Sequence, residues 1–253
     1  MGAGRHHHIF LSTPGRLHAL APECKLAATL LFVFAVVSTP QEQIWAFGVH
    51  AALIAAVARF GQVPLGFVAR RLVIELPFIA FAFFLPLTGV APRIDVLGLH
   101  LSEPGLWAAW NIIIKGTLGV AATVVMAATT PIPQILTGLE RLRTPRLLVG
   151  VTSFMIRYGD VVSSEMHRMK IARESRGYNP RWIWQVKALA QSTGALFIRS
   201  YERGERVFLA MEARGYTGSL PTRESSTDRS QWAACAALPA LAGAVSCAAW
   251  MAQ

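Results

Sequence analysis

The stretch ARESRGY, residues 172–178, returns 38 residues later as AMEARGY, residues 210–216. Both read Ala-x-Glu-small-Arg-Gly-Tyr. Each closes a run whose apolar residues recur at steps of three and four. In the first run these include Leu147, Val151, Phe154, Tyr158, Val162, Met166 and Met169; in the second, Leu189, Leu196, Tyr201, Val207 and Met211. That spacing predicts two long amphipathic helices. Glycine just past a helix end takes the left-handed conformation without a steric penalty, so Arg-Gly-Tyr reads as a helix stop in both copies. An arginine in the last turn also meets the negative end of the helix dipole, worth about 0.3–1 kcal/mol, and Tyr216 has Met211 within reach of a fold-back contact. A cap, however, needs only the glycine and a cation. It needs neither a glutamate two residues before the arginine nor a second copy. The duplication points to two equivalent receptors, each gripping one arginine through its planar, two-pronged guanidinium. The candidate site is Ser175, Arg176 and Gly177 with Ala213, Arg214 and Gly215, supported by Glu174, Tyr178, Glu212 and Tyr216.

The composition says where those helices belong. Of 253 residues, 53% are hydrophobic and only 15% charged, against roughly 25% charged in soluble domains; the mean hydropathy is +0.43. The net charge is nevertheless +10, because residues 131–230 hold 16 of the 24 Lys and Arg. Five apolar stretches stand out, at residues 26–37, 44–58, 72–90, 106–130 and 232–251, of which the last three have the roughly 20 residues a span requires. The expected fold is therefore an all-α membrane protein. Residues 1–130 are expected to carry the N-terminal segment and four spans, 131–221 the cytoplasmic amphipathic helices, and 222–253 a linker and a last span. PIPQILTGLERLR, residues 131–143, reads as a short helix opened by prolines.

Loop charges set the orientation. Arg5, Arg16 and Lys25 precede the first stretch, Arg59, Arg70 and Arg71 separate the second from the third, and the basic region follows the fourth. The outer loops hold one basic residue, Arg93. The N-terminus and the basic region are thus expected in the cytoplasm and the C-terminus outside, with Trp107, Trp110 and Trp232 at interfaces. Two charges lie inside apolar stretches, where they are often functional. Glu75 is expected at the cytoplasmic interface, one turn past Arg70 and Arg71. Lys115 is expected deeper, toward the outer end, either held by a partner inside the protein or set at an interface with another subunit. No pairing between them is expected, since their depths differ. Cys24, Cys235 and Cys247 form no metal or redox spacing and read as small apolar residues.

Two matched tips on a membrane protein look like the membrane half of an ATP-driven machine with paired ATPases. At these residues the chain resembles the T component of energy-coupling factor transporters, the EcfT/CbiQ family. LHALAPECKL (residues 17–26) resembles the family's N-terminal motif, FMIRYGDVVSSEMHRMKIARESRGY and ALFIRSYERGERVFLAMEARGY its coupling helices, and RRLVIELPF and NIIIKGTLG the cobalt-type CbiQ branch. The resemblance implies an L-shaped molecule whose two x-Arg-Gly motifs engage two ABC-type ATPases. It also implies a CbiM-like substrate-binding S component, no cofactor of its own, ATP used only by the partner subunits, and cobalt uptake linked to cobalamin synthesis. The first motif has Ser175 where alanine is common, an exchange of one small residue for another.

The run His6, His7, His8 suits a metal by residue type, but three adjacent imidazoles do not face one ion without a folded frame. No metal site is expected, and His18 is expected to be structural. A conventional homodimeric importer permease would carry one coupling motif rather than two. An enzyme would show a nucleophile with a base or a buried carboxylate pair, which the sequence lacks. Nucleic acid is an unsuitable partner for a basic region tied to a membrane without a base-reading motif.

Overall fold

The computed structural model describes residues 16–89, 92–96, 99–178, 187–216, 218 and 228–252. The His6–His8 run lies outside them. The elements run α1 (Pro22–Ser38), α2 (Ile44–Phe60), α3 (Leu65–Arg71), α4 (Leu76–Thr88), β1 (Arg93–Val96), β2 (Leu99–Ser102), α5 (Glu103–Thr129), α6 (Ile132–Arg141), α7 (Arg146–Ser175), α8 (Lys187–Glu212) and α9 (Arg229–Met251). They fall into two compact units, one of residues 8–142 with 225–253 and one drawn mainly from residues 143–224. The first holds α1–α6 and α9; the second holds α7 and α8.

The first unit is an all-α membrane bundle with one small hairpin. Two helices, α5 with 27 residues and α9 with 23, are each long and apolar enough to cross a bilayer. The shorter α1 and α2 have 17 residues, about 25 Å at 1.5 Å per residue. Phe32, Val36, Phe47, Ile54, Leu118 and Val125 form the core, and alanines close its seams: Ala46, Ala58, Ala82, Ala128, Ala242 and Ala249 are fully buried. Small residues let helix backbones approach closely where lipid supplies no hydrophobic drive between them. The outer surface is apolar instead, with Phe78, Phe81, Phe83 and Phe84 all exposed on α4.

The third apolar stretch is not the single span expected over residues 72–90. Helical structure begins earlier, at Leu65, and breaks into a 3-10 turn at Leu72–Glu75 before α4. Pro77 explains the break: it has no N–H to donate, and its ring clashes with the carbonyl four residues earlier, so an α-helix cannot run smoothly into it. Glu75, expected at the cytoplasmic interface, is buried between helices. α4 runs antiparallel to α5, with Leu85 against Gly105 at one end and Glu75 against Gly116 at the other. Glu75 is 3% exposed, and the Thr117 hydroxyl donates to its Oε2 at 2.9 Å, close to the midpoint of α5. Arg71 lies over the Phe67 ring, 4.2 Å from its centroid. Lys115 reaches the Val37 carbonyl at 2.8 Å, so it has a structural partner at the end of α1. It and Glu75 remain apart, as expected, but the cause is not depth. Consecutive residues of α5 point about 100° apart, given 3.6 residues per turn. The antiparallel hairpin that pairs Arg93 with Ser102 and Val96 with Leu99 was not expected. It delivers Ser102 to cap α5, its hydroxyl accepting the Gly105 N–H at 3.3 Å.

Grouped by sequence with the coupling helices, α6 packs on α1 instead and belongs to the bundle. Gly138 makes this possible: a Cβ there would lie 2.8 Å from Leu26 Cδ1 and 3.0 Å from the Glu23 nitrogen.

In the second unit, α7 and α8 pack on each other. Glu165 is the centre of the contact, held by Arg199 at 3.3 Å and Arg203 at 3.4 Å. An apolar cleft of about 370 Å³ beside it is lined by Phe154, Tyr158 and Val162 of α7 and by Val207, Phe208 and Met211 of α8. Only part of the expected stripe is covered. Leu147, Leu148, Val151, Met155 and Met166 stay exposed, and α7 has no fully buried residue.

The close approach of α4 and α5 yields a test. A Cβ at Gly105 would meet the Leu85 carbonyl oxygen at 2.6 Å, while one at Gly119 meets nothing within 4 Å. Gly105→Val is expected to destabilise the bundle by about 1–3 kcal/mol, the range for overpacking, and Gly119→Val to leave it unchanged. Thermal unfolding in detergent compares them; equal midpoints would refute the packing described.

Candidate functional site: two matched helix tips

The two repeated stretches end their helices with the same hydrogen-bond pattern. At the first tip the Tyr178 N–H donates to the Arg173 carbonyl at 3.1 Å and the Gly177 N–H to the Glu174 carbonyl at 3.0 Å. At the second, the Tyr216 N–H donates to the Met211 carbonyl at 3.0 Å and the Gly215 N–H to the Glu212 carbonyl at 2.9 Å. This pair of bonds, from the sixth residue of the turn to the first and from the fifth to the second, is the Schellman motif. It requires a left-handed residue, and both glycines supply it, with φ of +75° at Gly177 and +83° at Gly215.

The motif turns Arg176 and Arg214 into the cap residues of α7 and α8. Both are exposed, and neither side chain makes a hydrogen bond or ion pair among the described residues. Their neighbours are occupied locally. The Ser175 hydroxyl donates to the Ile171 carbonyl at 2.9 Å, and Glu174 pairs with Lys170 one turn back at 3.7 Å. Ala213, with no polar side chain, stands in the place of Ser175. Glu212 is exposed. Tyr178 and Tyr216 are half-buried. Each tip therefore presents one unpaired guanidinium on a closed, hydrogen-bonded turn.

The structure adds a residue that the sequence reading did not single out. Glu165 is 14% exposed and shared by two arginines of α8. Its signal was present: Arg199 and Arg203 stand four apart, on one face of their helix, and need an acid on the helix they meet.

Comparison with known proteins decides the family. The CbiQ family, described as cobalt transport protein, matches residues 16–225. The chain belongs to the CbiQ family. Its relatives carry two kinds of name. The cobalt transport protein CbiQ of Rhodobacter capsulatus is 28% identical over 68% of this chain and 69% of its own. The energy-coupling factor transporter transmembrane protein EcfT of Staphylococcus aureus is 24% identical over 81% of each. An uncharacterized protein of Methanocaldococcus jannaschii is 30% identical over 64% of this chain. The match spans 59% of that archaeal protein's length. It spans 22% of a putative fused cobalt transport protein, CbiMQ, of Methanocorpusculum labreanum. The family is one of transporter membrane components rather than of enzymes.

The tips make a conformational prediction. No atom lies within 4 Å of a Cβ at Gly177 or Gly215, so backbone conformation alone constrains these positions. Asparagine visits the left-handed region; a β-branched residue there is a genuine outlier. Gly215→Val is expected to open the turn at a cost of about 1–3 kcal/mol and to speed hydrogen exchange at the Tyr216 amide, whereas Gly215→Asn keeps it protected. Equal protection in both variants would remove the helix-stop reading.

Proposed function

We propose that this CbiQ-family chain is the transmembrane coupling subunit of an energy-coupling factor importer. Arg176 and Arg214 each insert into one of two ABC-type ATPases, and the chain passes their ATP-driven movement to a membrane-embedded, CbiM-like S component that carries the substrate. ATP is bound and hydrolysed by the partners, and the chain itself needs no cofactor. The observation that carries this reading is the pair of tips: one hydrogen-bond pattern built twice, each time leaving a guanidinium unpaired. The substrate read from the names of the CbiQ and CbiMQ relatives is cobalt ion, taken up for cobalamin synthesis. The EcfT relatives have names that specify no cargo, and a T component for nickel or a vitamin is the second reading.

The Lys and Arg distribution supports a multi-pass arrangement in the cell membrane, with the N-terminus and α7–α8 in the cytoplasm and the C-terminus outside. A reporter placed after Thr130 or in residues 225–230 is then expected to be cytoplasmic, and one after Gln253 external. A cytoplasmic C-terminus would show that the number of spans is even.

The coupling reading is tested at the arginines. Truncating one side of a buried charged contact costs about 2–5 kcal/mol, much of it from the group left unpaired, so Arg176→Ala or Arg214→Ala is expected to weaken assembly or uncouple ATP hydrolysis from uptake. Linked contacts reinforce one another, so one intact tip still holds the complex and the double variant is expected to abolish uptake. Lysine, lacking the planar fork, rescues poorly. The measurements are pull-down of the ATPases and cobalt uptake in membranes. If the double alanine variant binds both ATPases and transports at the normal rate, the tips are helix caps and nothing more.

A further inference from the structure

We infer that the corner formed by residues 21–25, at the start of α1, is the fastening point through which displacement of the α7–α8 unit enters the membrane bundle, with Glu23, Lys25 and Arg141 as its positioning residues. The inference rests on the coupling reading above.

Among the described helices, the chain leaves the bundle unit after α6, at 142/143, and re-enters it before α9, at 224/225. A mechanical signal carried by the backbone from α7 or α8 therefore reaches the bundle at the end of α6 or the start of α9. Both are tied to the same five residues. On the α6 side, Glu23, 3% exposed, accepts a hydrogen bond from Arg141 Nη1 at 2.8 Å, and Arg141 lies in the last turn of α6. Leu26 fills the notch left by Gly138, which fixes α6 along α1. One step earlier, Lys25, 5% exposed, donates to the Thr129 carbonyl at 3.2 Å. Thr129 is the last residue of α5, where carbonyls are unpaired and the helix dipole is negative. On the other side, the Ala21 N–H donates to Gln231 Oε1 at 3.1 Å in the first turn of α9, and Cys24 packs against Cys235 one turn further on.

The chemistry suits a joint that must not slip. Charge-assisted bonds are stronger than neutral ones, and a buried charge that loses its partner is left in a medium that cannot solvate it. The connection from α5 to α6 is Thr130 and Pro131, and Pro131, like Pro133 in the first turn of α6, brings no N–H of its own, so contacts with α1 set the direction of α6. The corner's proposed work is to hold α5, α6 and α9 in one frame, so that a pull on α7–α8 moves the bundle rather than bending the connection.

The test uses the assembled complex in membranes, with wild type, Glu23→Gln, Lys25→Met and the exchange Glu23→Arg with Arg141→Glu. ATPase pull-down, ATP hydrolysis and cobalt uptake are measured together, and hydrogen exchange of the α6 amides is followed in the same preparations. In Glu23→Gln the ATPases are expected to stay bound and to hydrolyse ATP, uptake per ATP to fall at least five-fold, and α6 exchange to rise about ten-fold. The charge exchange should recover at least half of the lost coupling, and it supplies the comparison if Glu23→Gln fails to insert. If uptake per ATP stays within two-fold of wild type while α6 exchange rises, the corner is structural only and the proposal is overturned. If the wild-type chain itself retains no ATPase, the coupling reading falls first, and the corner's role in it falls with it.

Discussion

Hydrocarbon offers no partner to a peptide group or a charge, and the bundle is organised around that constraint. Its helices satisfy their own backbones, and hydroxyls inside them do likewise: Thr29, Thr39, Thr88, Thr123 and Thr129 each donate to the carbonyl four residues back. Polar groups that cannot turn back on their own helix gather where helices end or meet. Lys25 finds the end of α5, Lys115 the end of α1, and Glu75 the Thr117 hydroxyl. His50, with no exposed surface, sits between Thr39 and Ser246, so that α1, α2 and α9 share one set of hydrogen bonds. These contacts fix the angular position of each helix, which nonpolar packing against lipid-like neighbours does not.

The α7–α8 unit is governed by different physics. It has little burial to rely on, with Leu196 the one buried hydrophobic residue among those described in the pair. Its rigidity comes from the Glu165 clamp along the shafts and the Schellman turns at the ends. A short hydrogen-bonded turn is stiff whatever surrounds it, and so it can present an arginine in a defined direction from a helix that is mostly solvated. The two tips differ in their immediate chemistry, since Glu174 is engaged by Lys170 and Glu212 is exposed, but their backbones superimpose in pattern bond for bond.

How much of this was legible in the sequence follows from how local each signal is. The tips were legible because glycine, arginine and tyrosine act within one turn of chain, and the ends of α7 and α8 fall where those residues put them. The break before α4 was also local, since Pro77 marks it, but the apolar run across residues 72–90 hid it. The hairpin had a signal too: apolar residues at 94 and 96 and at 99 and 101 alternate around Gly98, the period of a strand. The burial of Glu75 was not legible. Arg70 and Arg71 drew it toward an interface, whereas its place beside Gly116 depends on the register of two helices far apart in sequence. Nor could periodicity tell which apolar residues of α7 would be covered, because Phe154 and Met155 differ only in which side of the helix meets α8. The clasp of α1 around α6 and α9 depends on partners such as Arg141 and Gln231, more than a hundred residues away.

The alanine seams of the bundle set the terms on which its sequence can drift. At most outward positions one greasy side chain replaces another with little consequence, because a lipid chain conforms to leucine and phenylalanine alike. Ala46, Ala58, Ala82, Ala128, Ala242 and Ala249 are wholly enclosed by neighbours, and in an interior packed to ordinary protein density an added methylene is felt. Substitution in this protein is therefore filtered by volume more than by hydropathy. A lineage of such chains can change most of its letters and keep its helices in register, provided the smallest residues stay small.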